Sequence, residues 1–278
     1  MDLDEHPAIA SAFAKLDRLL DRYVNSRPSQ ADMQTHQAFL WEGTTRRLRP
    51  VKRPVTLDPA TLLGIEDHKE RVMDNTRRFI SGGRANNVLL WGERGTGKSS
   101  LFKSLLYAFS RSSLRMVEVL KHDILTVRDL YELVEETPAC RFILFIDDLS
   151  FEKDQTDYKE MKTLMDGGLA QLPENLLFYA TSNRKHLVPT LFSDRENDEI
   201  RPADTVEEKV SLADRFGIRL GFYHVSQETY LEIVDLYARQ YNVRARAGDL
   251  HRAAVRWSLE AGSRNGRTAE QFVRSLAG

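Results

Sequence analysis

The chain has 278 residues, is 41% hydrophobic and 29% charged, and carries a formal net charge of −1. That length holds one large domain plus a small one around an ample core, and the near-zero charge excludes a general electrostatic pull toward nucleic acid or acidic membranes. No apolar run approaches the roughly 18 residues that a bilayer-spanning helix needs, the acidic start Met1-Asp2-Leu3-Asp4-Glu5-His6 lacks a signal-peptide core, and the single cysteine, Cys140, excludes an internal disulfide framework.

In chain order, Ile9, Phe13, Leu16, Leu20 and Tyr23 recur at helical spacing and predict a helix over residues 8–25. Residues 31–42 read as a second, shorter helix. Residues 46–54 contain two prolines and five basic residues, Arg46, Arg47, Arg49, Lys52 and Arg53, which predicts a solvated linker or a basic arm toward a partner. From residue 60 strands and helices alternate. A helix is expected near 65–81, and strands near 88–91, 115–120, 141–147, 175–181 and 218–223. Continuously apolar strands separated by helices imply a parallel sheet covered on both faces. Three helices follow, near 227–241, 248–261 and 267–277. Cys140 lies just before an apolar strand and reads as an inert buried thiol.

The chemistry begins at residues 92–99, Gly-Glu-Arg-Gly-Thr-Gly-Lys-Ser, a complete G-x-x-x-x-G-K-S phosphate-binding loop. It follows the apolar strand Asn87-Val88-Leu89-Leu90-Trp91 and precedes a helix, the context the motif requires. Gly92, Gly95 and Gly97 permit a tight turn that aims backbone N–H groups at phosphate oxygens, Glu93, Arg94, Thr96 and Ser100 complete the cradle, and the helix start adds partial positive charge. Lys98 is placed for the β- and γ-phosphates and Ser99 for Mg²⁺. The strand at 141–147 ends in Asp147-Asp148. Asp147 suits Mg²⁺, and Asp148 suits orienting or deprotonating a water. The strand at 175–181 leads into Thr181-Ser182-Asn183, where the Asn183 amide can reach that water or act as a helix cap. Arg215, in Ser211-Leu212-Ala213-Asp214-Arg215-Phe216-Gly217, is a candidate arginine finger, unless it pairs with Asp214. Arg267 opens the final helix, where the dipole disfavours a cation unless a phosphate is near, and Arg264 competes for that role.

Taken in this order, the motifs resemble the AAA+ ATPase superfamily over residues 60–278. Leu63-Gly64-Ile65-Glu66 is similar to its adenine-packing segment, so Gly64 and Ile65 join the nucleotide set. The remaining motifs match Walker A, Walker B, sensor 1 at Asn183, the arginine finger at Arg215 and sensor 2 at Arg267. The strings Asp147-Asp148-Leu149-Ser150-Phe151-Glu152, Thr181-Ser182-Asn183-Arg184-Lys185-His186-Leu187 and Glu207-Glu208-Lys209-Val210 through Gly217 further resemble a bacterial family catalogued as domain of unknown function 815. One departure stands out: superfamily members usually carry Glu where this chain has Asp148, and Glu152 could assist.

The resemblance implies a five-stranded parallel αβα sandwich followed by an all-helical lid, with a short helical N-terminal extension. Its divisions fall at residues 1–55 (extension and basic linker), 56–225 (nucleotide-binding domain) and 226–278 (lid). It further implies an ATPase that uses ATP and Mg²⁺ and forms a homo-oligomer, with Arg215 acting on the neighbour's nucleotide, while the composition and the single cysteine fit the cytoplasm. The client, protein or nucleic acid, is left open. The alternative is a weakly hydrolysing, nucleotide-gated adaptor or loader. A P-loop kinase would need an acceptor pocket and a lid inserted within the sheet domain, which the C-terminal helices do not provide.

Overall fold

Alternating and continuous apolar runs build a seven-stranded sheet in the computed structural model, which describes residues 15, 30–151, 157–167, 171–183 and 212–277. The strands are β1 (Ala38–Glu42), β2 (Arg47–Pro50), β3 (Val88–Gly92), β4 (Leu114–Val119), β5 (Arg141–Ile146), β6 (Leu176–Ser182) and β7 (Ile218–Phe222). They lie in the order β2-β1-β4-β5-β6-β3-β7. Every neighbouring pair is parallel except β1 with β2. The five expected strands thus form one continuous parallel block, with β5 and β6 side by side and β3 next to β6.

Two expectations need correction. The helix foreseen over 31–42 stops early: α1 (Gln30–Thr35) gives way to strand β1. The supposed linker at 46–54 contains strand β2. The reason is a short period-two pattern in which Phe39 and Trp41 both turn into the core, 1% and 3% exposed, with Leu48 of β2 beside them at 4%. Ala38 to Trp41 then extend the ladder of β4, and the Trp41 indole N–H donates to Thr126 Oγ1 at 2.8 Å. Two of the basic residues, Arg47 and Arg49, sit on the sheet's edge strand, where charge discourages pairing with another chain. Arg49 pairs with Glu42 at 2.8 Å and Arg46 with Asp129 at 3.0 Å. The helix expected at 8–25 lies outside the described residues, apart from Lys15.

Helices cover both faces. On one face α2 (Glu66–Ile80) and α3 (Lys98–Ala108) pack Val72, Phe79, Leu101, Phe102 and Leu105 against Val88, Leu90, Phe145 and Tyr179. On the other, α4 (Asp129–Glu135) and α5 (Asp157–Asp166) pack Leu130, Val134, Met161 and Leu164 against Phe39, Val117, Leu144 and Phe178. The C-terminal helices α6 (Gln227–Gln240), α7 (Ala247–Glu260) and α8 (Gly266–Leu276) have their own core of Tyr230, Val234, Ala254, Ala269, Phe272 and Val273. Leu63 and Val225 pack against that core from the sheet side. Cys140 is buried, and burial raises its thiol above the usual range, as befits an unreactive packing residue. No described helix is long and apolar enough to cross a membrane.

One buried polar cluster sets where β3 begins. Asn75, fully buried on α2, donates to Asn86 O at 2.8 Å and to the Tyr179 hydroxyl at 2.9 Å, and accepts from Asn86 N at 3.0 Å. Thr76 Oγ1 lies 2.8 Å from the same hydroxyl. Burial pushes the Tyr179 phenol up to about 12, against the opposing bonds from Thr76 and Asn75.

Removing that amide strips hydrogen bonds from the Asn86 backbone before β3 and from the buried Tyr179 hydroxyl on β6, and each lost partner is costly. Asn75→Ala is therefore expected to lower unfolding free energy by about 1–3 kcal/mol in urea denaturation. A change within about 0.5 kcal/mol, the ordinary surface-substitution range, would show the cluster to be dispensable.

Candidate functional site

At the C-terminal ends of β3, β5 and β6 lies a cavity of about 520 Å³ lined by residues from separated parts of the chain. The loop between β3 and α3 contributes residues 94–100, the end of β5 contributes Asp147 and Asp148, the end of β6 contributes Thr181 and Asn183, and α8 contributes Gly266, Arg267 and Glu270. Thr61, Leu62, Leu63, Ile65, Val225, Ile233 and Tyr237 close the apolar side.

The loop conformation depends on glycine. Gly92 has φ 124°, and a Cβ there would stand 2.0 Å from Phe222 O. Gly97, at φ 100°, opens α3 in a region closed to most side chains. Lys98, the first residue of that helix, is 6% exposed. Its ammonium donates to the carbonyls of Gly92 at 2.8 Å and Glu93 at 2.6 Å. Burial holds its pKa below the ordinary lysine value, with Arg267 and Arg94 acting in the same direction and Asp148 and Asp147 opposing. A buried ammonium at a helix start, flanked by two arginines, is a place where an anion's charge is stabilised.

The carboxylates at the end of β5 have different partners. Asp147 Oδ1 accepts from Ser99 Oγ at 2.6 Å and from Thr181 Oγ1 at 2.5 Å. Asp148 Oδ1 accepts from the Asn183 amide at 2.6 Å. Asp148 also has φ 54°, a left-handed backbone that Asp tolerates better than most residues but that still costs about 1–2 kcal/mol. The Ser99 hydroxyl beside the Asp147 carboxylate is an oxygen pair of the kind hard cations prefer. Among the described residues no group of three or more His, Cys, Asp or Glu could hold a metal. That donor set fits Mg²⁺, which takes one or two protein ligands and fills its shell from phosphate and water.

The foreseen residues fall into two sets. Ile65, Arg94, Gly95, Thr96, Gly97, Lys98, Ser99, Ser100, Asp147, Asp148, Asn183 and Arg267 all line the cavity. Arg264 does not; it borders a separate hollow with His224 and Leu259. Gly64 borders a smaller neighbouring hollow beside Thr229. The Glu93 side chain pairs with His224, outside the cavity. Arg215 is also outside its own chain's cavity. Its Nη2 donates to Asp166 Oδ2 at 3.0 Å, and Asp214 instead meets Arg219 at 3.0 Å. Asn87 pins the Arg215 carbonyl at 3.1 Å and accepts Phe178 N at 2.9 Å, so the turn carrying Arg215 is fastened to β3 and β6. Glu152 lies outside the described residues.

Several lining residues were not foreseen. Tyr237, Ile233, Val225 and Glu270 come from the lid or its approach, where no motif marks them. Asn265 is another. Its side chain caps α8 by accepting Thr268 N at 2.9 Å, and it donates to Arg94 O at 3.1 Å. An Asn before Gly266-Arg267-Thr268 is a readable cap signal, but the contact to a loop 171 residues earlier is not.

The family model described as "Protein of unknown function (DUF815)" matches residues 34–278. No curated protein matches the chain. Among solved structures, a point mutant of Thermotoga maritima RuvB aligns with a TM-score of 0.54 at 17% identity, over 78% of this chain and 65% of that one. The chain therefore spans just under two thirds of that structure. The Thermotoga maritima RuvB Holliday junction branch migration motor aligns with a TM-score of 0.49 at 14% identity, over 79% and 72% of the two chains. A further RuvB mutant gives 0.48 at 14%, over 77% and 70%. At these identities the likeness concerns the fold alone.

The two bonds of Asn265 lead to a graded expectation. Asn265→Ala removes the cap and the tie to the phosphate loop, and should cost about 1–2 kcal/mol in chemical denaturation. Asn265→Asp keeps the cap acceptor but loses the donor to Arg94 O, so it should recover only part of that loss. Full recovery by Asp would mean that the tie to the loop contributes nothing.

Proposed function

The chain belongs to the DUF815 family, and from its AAA+ fold we propose that it is an ATPase whose nucleotide couples lid and neighbouring subunit. The observation that carries this reading is the convergence of Lys98, Ser99, Asp147, Asp148, Asn183 and Arg267 on one cavity from four separate segments. An apolar wall of Leu63, Ile65, Val225, Ile233 and Tyr237 suits a flat base, and the cationic end suits phosphates.

In this reading Lys98 and the N–H groups at the start of α3 neutralise the β- and γ-phosphates. Ser99 and Asp147 hold Mg²⁺, which offsets phosphate charge when bound. Asp148 receives the proton of, or orients, the attacking water, and Asn183 steadies that carboxylate. Arg267 draws α8, and with it residues 226–278, onto the γ-phosphate end. Residues 56–225, with the 38–50 hairpin added to the sheet, form the nucleotide-binding body. Loss of the γ-phosphate would release the Arg267 contact and loosen the lid.

Arg215 serves a neighbouring copy in this scheme. It is fastened through its backbone, lies away from its own cavity and is paired with Asp166. The assembly is then a homo-oligomer whose sites are completed across interfaces. A slow switch is the second reading, favoured by the hydrogen bond that engages the short Asp148 carboxylate with Asn183. Turnover separates the two, since an assembled motor gains specific activity with protein concentration and a switch does not.

Lys98→Ala is expected to abolish or severely weaken ATP binding in calorimetry with Mg²⁺, because Lys98 is the buried cation at the start of α3. Unchanged affinity would sink the nucleotide assignment. For the trans role, an Arg215→Ala chain is mixed with a Lys98→Ala chain. Each alone should lose turnover, by roughly 10³-fold for a finger arginine. Mixed assemblies should recover activity, as each Lys98→Ala subunit presents Arg215 to an intact loop. No recovery in assemblies of confirmed mixed mass would assign Arg215 a structural or same-chain role.

A further inference from the structure

Thr181 is buried at the end of β6, 2% exposed, and its hydroxyl lies between the two carboxylates described above. Its Oγ1 donates to Asp147 Oδ1 at 2.5 Å and accepts the backbone N–H of Asp148 at 3.0 Å. Its own carbonyl accepts Leu149 N at 2.7 Å. The regular ladder between β5 and β6 ends one step earlier, at Ile146 opposite Ala180. Beyond that point a side-chain hydroxyl takes the N–H of Asp148, and the Asp148 backbone turns into the left-handed region at φ 54°.

From this arrangement we propose that Thr181 is the positioning residue that sends Asp147 and Asp148 to separate tasks. The inference rests on the nucleotide reading above. A threonine hydroxyl has one proton to give and lone pairs to accept with, so it can serve a carboxylate and an amide at once. Here both directions are used. The donated proton and that of Ser99 arrive on the same oxygen of Asp147, Oδ1. Among the described residues no hydrogen bond is donated to its Oδ2, which is thus left for a hard cation. The accepted Asp148 N–H stabilises the left-handed turn from which that residue's carboxylate meets Asn183. Carboxylates that ligate a cation are oriented by such outer hydrogen bonds, and losing one weakens the cation's hold. Thr181 need touch neither substrate nor metal to act.

The test uses the full chain, a non-hydrolysable ATP analogue and calorimetry across a Mg²⁺ titration and in excess chelator, alongside steady-state turnover. Thr181→Val keeps the shape and removes both hydrogen-bonding functions. It should raise the Mg²⁺ concentration for half-saturation, and lower kcat, by about 10- to 100-fold. Affinity in chelator, and KM once Mg²⁺ is saturating, should stay within about 2-fold, because Lys98 and Arg267 are untouched. Thr181→Ser should restore the parent's Mg²⁺ response. Thr181→Ala repeats the measurement should the valine chain fail to fold. An unchanged Mg²⁺ response in a folded Val or Ala variant would overturn the proposal. So would equal losses with and without Mg²⁺, which would indicate packing alone. A parent chain that binds no analogue under either condition would overturn the functional reading and this inference with it.

Discussion

The close approach of two backbones at Gly92 is the constraint on which the cavity depends. Glu93 N donates to Phe222 O at 3.1 Å, at the point where a Cβ on Gly92 would collide with that carbonyl. The phosphate loop is therefore seated on the end of β7, the strand from which the chain runs toward the lid. From the opposite side, Asn265 reaches Arg94 O, and Arg267 N lies 3.4 Å from Gly95 O. Held from both sides, the loop is fixed by the fold itself, so a ligand bound there would not first have to order the glycines. The same contacts couple the loop mechanically to the lid, because α8 begins where it touches the loop.

Charge is distributed to match. Lys98, Arg94 and Arg267 gather at the loop, and Asp147 and Asp148 face them from the strand ends. Burial alone would leave a solitary lysine ammonium costly. The loop carbonyls and the facing aspartates offset that cost. The two aspartates would repel each other if both pointed the same way. Ser99 and Thr181 draw one aside and Asn183 the other. Different partners, rather than any difference in residue type, place two adjacent identical side chains in different surroundings.

The legible parts were those with local causes. The G-x-x-x-x-G-K-S loop, the apolar strands at β3, β5 and β6, and the acidic pair at a strand end follow from neighbouring residues, since each motif's geometry is written within about ten positions. The β1–β2 hairpin was misread because Phe39 and Trp41 carry only a short alternation, which a helix pattern also accommodates over so few residues. Its strand character is decided by partner β4, whose Met116 to Val119 lie far along the chain. Arg264 competes with Arg267 in sequence, because the two lie three positions apart around one helix start. Only the seating of α8 on Gly95 turns Arg267 into the cavity and leaves Arg264 in another hollow.

The sequence by itself determined the family, the parallel αβα plan and which residue types stand in the glycine loop and at the strand ends. Those depend on residue type and on spacing along a single strand, loop or helix. Tertiary structure alone decided that Thr181 bridges the acidic pair, that Asn265 ties the lid to the loop, that Asp166 rather than Asp214 meets Arg215, and that Tyr237 and Glu270 face the cavity. Each of these is a contact between segments far apart in sequence. Such contacts arise when the sheet order and the docking of the lid bring the segments together, and no local pattern encodes them.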